Sequence, residues 1–377
     1  MVIKQYYKLI RKGKIVQINY TAYMNSTGYS TSSQDYILSM LRVKPDLDIK
    51  VHYANGSITT GVSSNRKQLF SSLNKKETRL PSVNIYHTIP SRYRHAPGSS
   101  KHLGLCVFES INPPQEWIDT MNNMDGIITA SEFNKSTFEA HGLKTKIDVI
   151  PHCFDPKLFH RDVKSRGRYK QTTFISIGTW KDRKNWKLLI QSWYEAFEAR
   201  NNVCLLVKTD KPNKFKRMVQ EVKQNSVWRS KSTAPIYCEE NPICDFEEIP
   251  KFMKKGDIYI STSLGEGFGL GGLHAMALNI PVITTRFGGS LQYAKPDLCT
   301  YLEPSKYRRV AIMDKIPQLS NCIWPQLEMQ DVVNKMRYVL MNVKDREQRA
   351  EKAYKSVHEN YSYDTIGKLF LELLELL

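Results

Sequence analysis

Residues 265–277 read GEGFGLGGLHAMA, and this glycine-rich stretch decides the fold of the chain. It follows the β-rich run 257–261 and continues into a segment typical of a helix. A glycine-rich turn between a strand and a helix exposes backbone N–H groups at the helix N-terminus, and such groups bind anions. A carboxylate beside an anion would repel it, so Glu266 is better suited to binding neutral hydroxyls nearby. A phosphate next to hydroxyls indicates a nucleotide sugar as the ligand.

The alternation of strand and helix extends from this turn in both directions. It predicts strands at 14–20, 48–53, 83–87, 103–108 and 126–130, and again at 173–178, 203–208, 258–261 and 281–285. Helices are predicted at 34–41, around Trp117, after the N-cap candidate Ser131, and at 187–199. Strands that alternate with helices form parallel sheets. The predicted fold class is therefore α/β, with two Rossmann-like, doubly wound domains that face a central ligand cleft.

A polar, basic stretch at 156–171 interrupts this alternation and is the predicted linker. We accordingly divide the chain into a first domain at 1–165, a second domain at 166–360 and a final helix at 361–377. Helical segments at 329–341, 345–360 and 363–377 are predicted to end the chain.

The chain is strongly basic, with 55 Lys and Arg against 37 Asp and Glu and a net charge of +18 at pH 7. This balance favours anionic partners such as nucleotides, nucleic acid or an acidic membrane surface, although a lysine-rich soluble surface explains it equally well. No RNA-binding aromatic motif or zinc-finger spacing accompanies the charge, so nucleic acid is not an expected partner.

Two further features bear on where the protein acts. The seven cysteines form no C-x-x-C pair, which argues against a zinc site and against a full disulfide framework. No apolar run reaches the roughly 20 residues that a membrane span needs, and the start of the chain lacks the apolar core of a signal peptide. We therefore expect a cytoplasmic protein, with peripheral membrane contact left open.

The stretch from Glu266 to Ala277 resembles a motif of the retaining glycosyltransferases of family 4, also called group 1. That family has the glycosyltransferase-B fold and carries a Glu-x7-Glu pair in a segment such as E-G-F-G-L-P-x-L-E-A-M-A. Residues 281–283 (PVI) and 288–289 (GG) fit its usual continuation, and the resemblance covers about residues 100–375. It implies that Glu266 contacts the donor sugar and that the last helix packs back on the first domain.

Two positions depart from the family motif. His274 stands where the second glutamate binds the nucleotide ribose, and Gly271 stands where the family has proline. A histidine can still form a hydrogen bond with a hydroxyl, so His274 remains a candidate for ribose recognition. The alternative is a histidine that packs beside Met276. The donor diphosphate is expected on the turn, at Gly267, Phe268, Gly269, Leu270 and Gly271.

Residues 178–185 read GTWKDRKN and form a second candidate motif between a strand and a helix. Lys184 matches the family lysine that neutralises the donor diphosphate, whereas Thr179 occupies the usual arginine position. Arg183 is the candidate substitute for that arginine. Charge neutralisation is what a departing nucleoside diphosphate requires. The alternative is a solvated basic turn, which is common in so basic a chain.

Four further residues are weaker candidates. Gly28 resembles the family's glycine loop after the first strand, and Lys208 ends a strand that faces the predicted cleft. Glu240 lies where the family binds the base, and a carboxylate there could pair with a guanine edge. Glu109 lies in a segment that faces the acceptor in some family members, where many relatives carry a histidine.

These residues predict a retaining, metal-independent hexosyltransferase. It would move a sugar from a UDP- or GDP-sugar to a hydroxyl of a glycan, glycolipid or glycoprotein, including a lipid-linked acceptor, with Glu266, Lys184 and Arg183 as catalytic residues. No cofactor is expected besides the donor. The alternative, motivated by the missing second glutamate, is a catalytically silent nucleotide-binding or scaffold protein with the same fold.

Overall fold

A first sheet of six parallel strands occupies the N-terminal part of the computed structural model, which describes residues 17–376 except 26, 59–61, 97, 99, 166, 225–226, 242–245 and 313–319. Its strands are β1 (Gln17–Ala22), β2 (Ile49–Tyr53), β3 (Ser82–His87), β4 (Lys101–Leu105), β5 (Gly126–Thr129) and β6 (Ile147–Val149). Their order in the sheet is β2-β1-β3-β4-β5-β6. The first strand was predicted from residue 14, and residues 14–16 lie outside the described part of the chain.

A second six-stranded parallel sheet follows in the C-terminal part. Its strands are β7 (Thr172–Ile177), β8 (Val203–Lys208), β9 (Ile236–Glu239), β10 (Ile258–Ser261), β11 (Val282–Thr285) and β12 (Thr300–Leu302). Their order is β12-β11-β10-β7-β8-β9. The predicted fold class, two doubly wound α/β domains, is confirmed.

Helices connect the strands and cover both faces of the sheets. They are α1 (Gly28–Val43), α2 (Ser64–Lys75), α3 (Gln115–Met121), α4 (Glu132–Ala140), α5 (Trp186–Ala196), α6 (Pro212–Gln224), α7 (Ile249–Met253), α8 (Leu270–Ala277), α9 (Met329–Met341), α10 (Val343–Asn360) and α11 (Tyr363–Glu375). Because parallel strands are covered on both faces, β8 is apolar and buried from Val203 to Val207, without alternation. Ser131 caps α4, as predicted, by accepting from the Asn134 N–H at 3.3 Å.

Helix α1 begins six residues before the predicted start at residue 34. Thr27 caps its N-terminus, where its hydroxyl accepts from the Ser30 N–H. The first turns are rich in serine, which hid the helical pattern in the sequence. The hydroxyls of Ser32 and Ser33 both donate to the Tyr29 carbonyl, so these buried polar groups are satisfied inside the helix.

The chain crosses between the two domains at two adjacent places. Phe154, after β6, forms a parallel bridge with Ser362, immediately before α11. Helix α11 then packs against α1, and a Cβ at Gly367 would overlap the Ser39 carbonyl oxygen. The final helix therefore lies on the first domain, and both crossings run side by side.

A β-hairpin that the sequence analysis missed lies between β12 and α9. It consists of β13 (Pro304–Ile312) and β14 (Ser320–Leu327), which pair antiparallel. Strand β14 buries Cys322 and Trp324 and docks on the loop after β4 in the first domain. The signal that could have revealed it is the mixture of β-branched and aromatic residues in both segments, which the predicted strand–helix alternation left unassigned.

Candidate active site

Four charged side chains from both domains meet where the glycine-rich turn leaves β10. Lys184 Nζ donates to Glu266 Oε1, and Arg183 donates to Glu266 Oε2 at 3.1 Å. A second guanidinium nitrogen of Arg183 donates to Glu109 Oε1, also at 3.1 Å. Arg183 therefore lies between a carboxylate of the first domain and a carboxylate of the second.

Short turns hold the two basic residues in place. Asp182–Lys184 form one turn of 3-10 helix, and Asn185 then takes a left-handed conformation with φ 57° that leads directly into α5. Asparagine adopts this conformation more readily than most residues. The Thr262 hydroxyl donates to the Lys184 carbonyl at 3.2 Å, and the Ser263 hydroxyl donates to the Arg183 carbonyl at 3.3 Å. The ends of β7 and β10 are thus tied together beneath the charges.

The charge cluster fixes the protonation state of Glu266. Burial alone would raise the pKa of this carboxyl, but the nearby Lys184 ammonium and Arg183 guanidinium outweigh burial and lower the pKa to about 2. Burial also lowers the pKa of Lys184, while Glu266 opposes that shift. Glu266 is therefore a carboxylate near neutral pH, which accepts hydrogen bonds and does not donate a proton.

This shift predicts a pH-dependent contribution to stability. In the folded protein Glu266 has a pKa of about 2, below its ordinary value of 4.5, so the unfolded chain takes up the proton first as the pH falls. We expect wild type to exceed Glu266→Gln in free energy of unfolding above about pH 4.5, and the gap to shrink as the pH falls toward 2. Urea unfolding at several pH values measures this gap.

Glu116→Gln provides the matched control, because Glu116 is an exposed carboxylate on α3 that is not a member of the charge cluster. Its difference from wild type should stay small at every pH. A Glu266→Gln gap that did not change with pH would contradict the assigned ionisation.

The glycine-rich turn brings the N-terminus of α8 to the same place. Gly269, which precedes the helix, has a φ of +86°, a conformation that favours glycine. The Gly289 N–H donates to the Glu266 carbonyl at 2.7 Å, and the Tyr293 hydroxyl donates to the Gly269 carbonyl at 2.5 Å. The loop after β11 thus holds the turn, whose first N–H groups point out of the helix end.

The same turn forms the seam between the domains. A Cβ at Gly265 would overlap the Glu109 carbonyl oxygen, and a Cβ at Gly267 would lie 2.6 Å from the Val107 Cβ. The Ser131 hydroxyl donates to the Gly267 carbonyl at 3.2 Å. Glycine is needed here because the backbone of the first domain approaches the turn closely. Sequence analysis missed this role of Gly265.

Of the four weaker candidates, Glu109 belongs to the charge cluster and Gly28 lies at the turn. Lys208 and Glu240 lie near the β8–β9 edge of the second sheet. A Cβ at Gly28 would meet Leu270 Cδ1 at 3.9 Å, so the start of α1 faces the start of α8. Lys208 donates to the Asn241 carbonyl at 2.5 Å, beside the end of β9. Glu240 is exposed and forms an ion pair with Lys216. The structure therefore brings Gly28, but not Glu240, to the charge cluster and turn.

His274 lies on α8 and is only 4% exposed. Its ring stacks on Phe159 with centroids 4.2 Å apart, and Phe246 packs against it edge-on. Burial lowers its pKa to about 3, so the ring is neutral. Its Nε2 atom has no hydrogen-bond partner among the described residues. The ring packs as the structural alternative requires, and one of its buried polar atoms lacks a partner among the described residues.

Two negative findings concern the described residues. Within that part of the chain, no group of three His, Cys, Asp or Glu side chains is arranged to hold a metal ion. No helix that the structure describes is long and apolar enough to cross a membrane.

Comparison with known proteins finds one family match and several similar structures. Residues 171–320 match the family described as Glycosyl transferases group 1. An uncharacterized protein of Sulfolobus islandicus rod-shaped virus 1 is 26% identical over 72% of this chain and 76% of its own length. Among solved structures, a glycosyltransferase from Rickettsia africae has a TM-score of 0.67 at 13% identity, covering 97% of this chain and 99% of its own. Anabaena HepE, solved with UDP and glucose, has a TM-score of 0.66 at 12% identity, covering 96% of this chain and 100% of its own.

The two facing domains, with a glycine-rich turn at their seam, have the architecture of a glycosyltransferase-B protein. The match to the group 1 glycosyl transferase family covers residues 171–320, which lie in the second domain. Membership of the retaining family 4, also called group 1, stays a prediction.

Proposed function

We propose that this protein transfers a sugar from a UDP- or GDP-sugar to a hydroxyl of a glycan, glycolipid or glycoprotein with retention of configuration and without a metal ion. The observation that carries the proposal is the convergence of Lys184, Arg183 and Glu266 beside the N-terminus of α8. Two cations and exposed backbone N–H groups suit a diphosphate, and a carboxylate held between them suits sugar hydroxyls. The UDP complex of the structurally similar HepE is consistent with this donor class.

The chemistry follows from positioning and electrostatics. In the free protein Lys184 donates to Glu266. When the donor binds, Lys184 donates to the diphosphate instead, and the Glu266 carboxylate accepts hydrogen bonds from the sugar hydroxyls. Arg183 keeps the seam closed through Glu109 while adding positive charge. The acceptor hydroxyl attacks from the face that the diphosphate leaves, and the diphosphate takes the acceptor proton. The protein lowers the barrier by neutralising the leaving group and excluding water.

A thermal-shift screen tests the donor class. UDP-glucose, GDP-mannose and the free nucleotides UDP and GDP are each added to the full chain. A ligand that binds only the folded state stabilises it by about 2.7 kcal/mol at a hundred times its dissociation constant. We expect at least one UDP- or GDP-linked compound to raise the melting temperature, and formation of a glycosylated product from that donor. No shift with any compound would refute the donor assignment.

A second candidate is a catalytically silent nucleotide-binding protein, and the replacement of the second motif glutamate by buried His274 favours it. The two functions differ in one measurement. The silent protein would bind a nucleotide sugar but neither hydrolyse nor transfer it. Product that forms with wild type and disappears with Glu266→Ala would rule out the silent protein.

His274 provides a prediction about the nucleoside. His274→Phe keeps a ring of similar shape on Phe159 but removes the unpartnered Nε2 atom. If that atom binds the ribose, the variant should fold with nearly wild-type stability and bind the nucleotide about tenfold more weakly, because a hydrogen bond to a buried group is worth about 1 kcal/mol or more. Isothermal titration with UDP measures this.

Tyr354→Phe is a suitable control, because it removes one polar atom on α10, a helix that contacts α8 at its C-terminal end through His358 and the Ala277 carbonyl. It should leave UDP binding unchanged. Unaltered UDP affinity in His274→Phe would mean that His274 serves only in packing.

A further inference from the structure

The outer strand of the hairpin presents an exposed basic surface that the proposed chemistry does not use. Lys306, Tyr307, Arg308 and Arg309 are all exposed on β13, and Tyr307 is 56% exposed. Neither described strand of the hairpin contains an Asp or Glu. The three cations form no ion pair with any described residue. Three unpaired charges on one short strand form a locally positive surface that suits an anionic ligand.

This surface is physically continuous with the candidate active site. The inner strand, β14, docks on the loop that carries Glu109, where the Trp324 indole N–H donates to the Glu109 carbonyl at 3.2 Å. The Ser110 hydroxyl donates to the Ile323 carbonyl at 2.7 Å and accepts from the Ile323 N–H at 2.9 Å. The hairpin therefore belongs to the same rigid unit as the acceptor-side candidate Glu109.

An aromatic row leads from the basic strand to the seam between the domains. The Tyr307 ring lies 5.8 Å from Phe287, and Phe287 lies 5.2 Å from Phe133 of the first domain. Phe287 directly precedes Gly288, where a Cβ would lie 2.8 Å from the Glu266 carbonyl oxygen. Arg286 is exposed beside this row. One exposed aromatic face flanked by arginines is suited to stacking a sugar ring whose substituents are anionic.

We propose that the exposed edge strand β13 binds an acidic glycan acceptor, one that carries phosphate, sulfate or carboxylate groups, with Tyr307 and Arg309 on one face and Lys306 and Arg308 on the other. The inference rests on the proposed function and names its acceptor class. Tyr307 stacks on a sugar ring while the cations bind the flanking anionic groups. The growing end of the glycan then lies toward Glu109, across the docked strand β14.

A nucleic acid is the rival anionic ligand, and the structure favours the glycan. Binding of single strands relies on several aromatic side chains on which successive bases stack. Among the described residues of β13 and β14, only Tyr307 is an exposed aromatic side chain, since Trp324 is buried. The hairpin also docks on the loop that carries Glu109, the acceptor-side candidate. The proposed reaction requires an acceptor hydroxyl there, which a glycan supplies.

The test uses the full chain and three fluorescent probes: a heparin octasaccharide, a neutral maltooctaose and an oligothymidylate of eight nucleotides. We expect heparin to bind more tightly than either of the others, and its affinity to fall as salt is raised. Arg308→Gln/Arg309→Gln should weaken heparin binding about tenfold. Tyr307→Ala should weaken it about two- to tenfold, because one stacking contact is lost.

Lys214→Gln/Arg217→Gln is the matched control. It removes the same charge from another exposed basic surface, on helix α6, and should leave heparin binding unchanged. The inference is overturned if the hairpin variant binds heparin like wild type, if the α6 variant weakens binding equally, or if oligothymidylate binds the hairpin more tightly than heparin.

A parallel thermal shift with UDP-glucose and GDP-mannose separates this inference from the proposed function. The hairpin variant should respond to these donors as wild type does. If donors stabilise the protein but the hairpin variant binds heparin as tightly as wild type, only the inference about the acceptor fails. If heparin binding depends on the hairpin while no donor has any effect, the anionic surface stands and the assignment of its ligand as an acceptor falls with the proposed function.

Discussion

Lys184→Ala is expected to slow sugar transfer about 100- to 1,000-fold, the usual effect of removing one preorganised group that stabilises charge in the transition state. Lys184 donates to Glu266 in the glycine-rich turn, whereas Arg183 is also bonded to Glu109 of the first domain. Its partner Glu266 keeps Arg183 after the substitution, so the fold should survive. The rate of product formation at saturating donor measures the effect, with the melting temperature as a check on folding.

Lys187→Ala is the control, because Lys187 is an exposed lysine on the first turn of α5, three positions along the chain. It should retain wild-type activity. A Lys184→Ala variant that transfers sugar at the wild-type rate would show that the diphosphate is neutralised elsewhere.

Gly265→Ala is expected to reduce stability by about 3 kcal/mol or more and to abolish transfer. The new Cβ would overlap the Glu109 carbonyl oxygen and approach the Trp324 indole nitrogen at 3.1 Å. Neither a backbone oxygen nor a docked indole can move aside by a change of rotamer, so the seam between the domains must open. Urea unfolding gives the stability, and the rate of product formation measures the loss of transfer.

The matched control is Gly28→Ala, which lies on the same face between the domains. Its Cβ would make only ordinary van der Waals contact with Leu270, at 3.9 Å, so its stability should equal or slightly exceed that of wild type. Wild-type stability in Gly265→Ala would mean that the first domain does not approach the turn as closely as described.

The local sequence pattern predicted most of the strands and helices, because these elements depend on short-range conformational preferences. Apolar runs such as 203–208 specify buried parallel strands, and helix α9 has the bounds that its periodicity predicted. Helix α1 was predicted too short, because serines whose hydroxyls bond to a backbone carbonyl inside a helix look like a polar loop in sequence. The hairpin was missed because its two strands form a sheet only with each other. The sequence between them shows neither the helical nor the strand periodicity that would have marked them as neighbours.

The charge cluster was predicted only in part. Sequence placed Lys184 and Glu266 at the ends of two strands, and the ends of parallel strands meet at one edge of a sheet. It could not show that Arg183 would link Glu266 to Glu109, because the packing of one domain on the other decides that contact. His274 was predicted to bind ribose or to pack, and its burial against Phe159 with one free nitrogen leaves the ribose role a prediction to be tested.

The sequence by itself determined that this chain forms two doubly wound α/β domains and carries a glycine-rich turn with a carboxylate, because strand–helix alternation and backbone conformation are local properties. Only the tertiary structure decided that Gly265 and Gly267 form the seam, that Arg183 bridges the domains, and that a basic hairpin docks beside Glu109. Those features depend on contacts between residues more than 70 positions apart in the chain, such as Arg183 and Glu109. Such residues come into contact only when the two domains pack against each other.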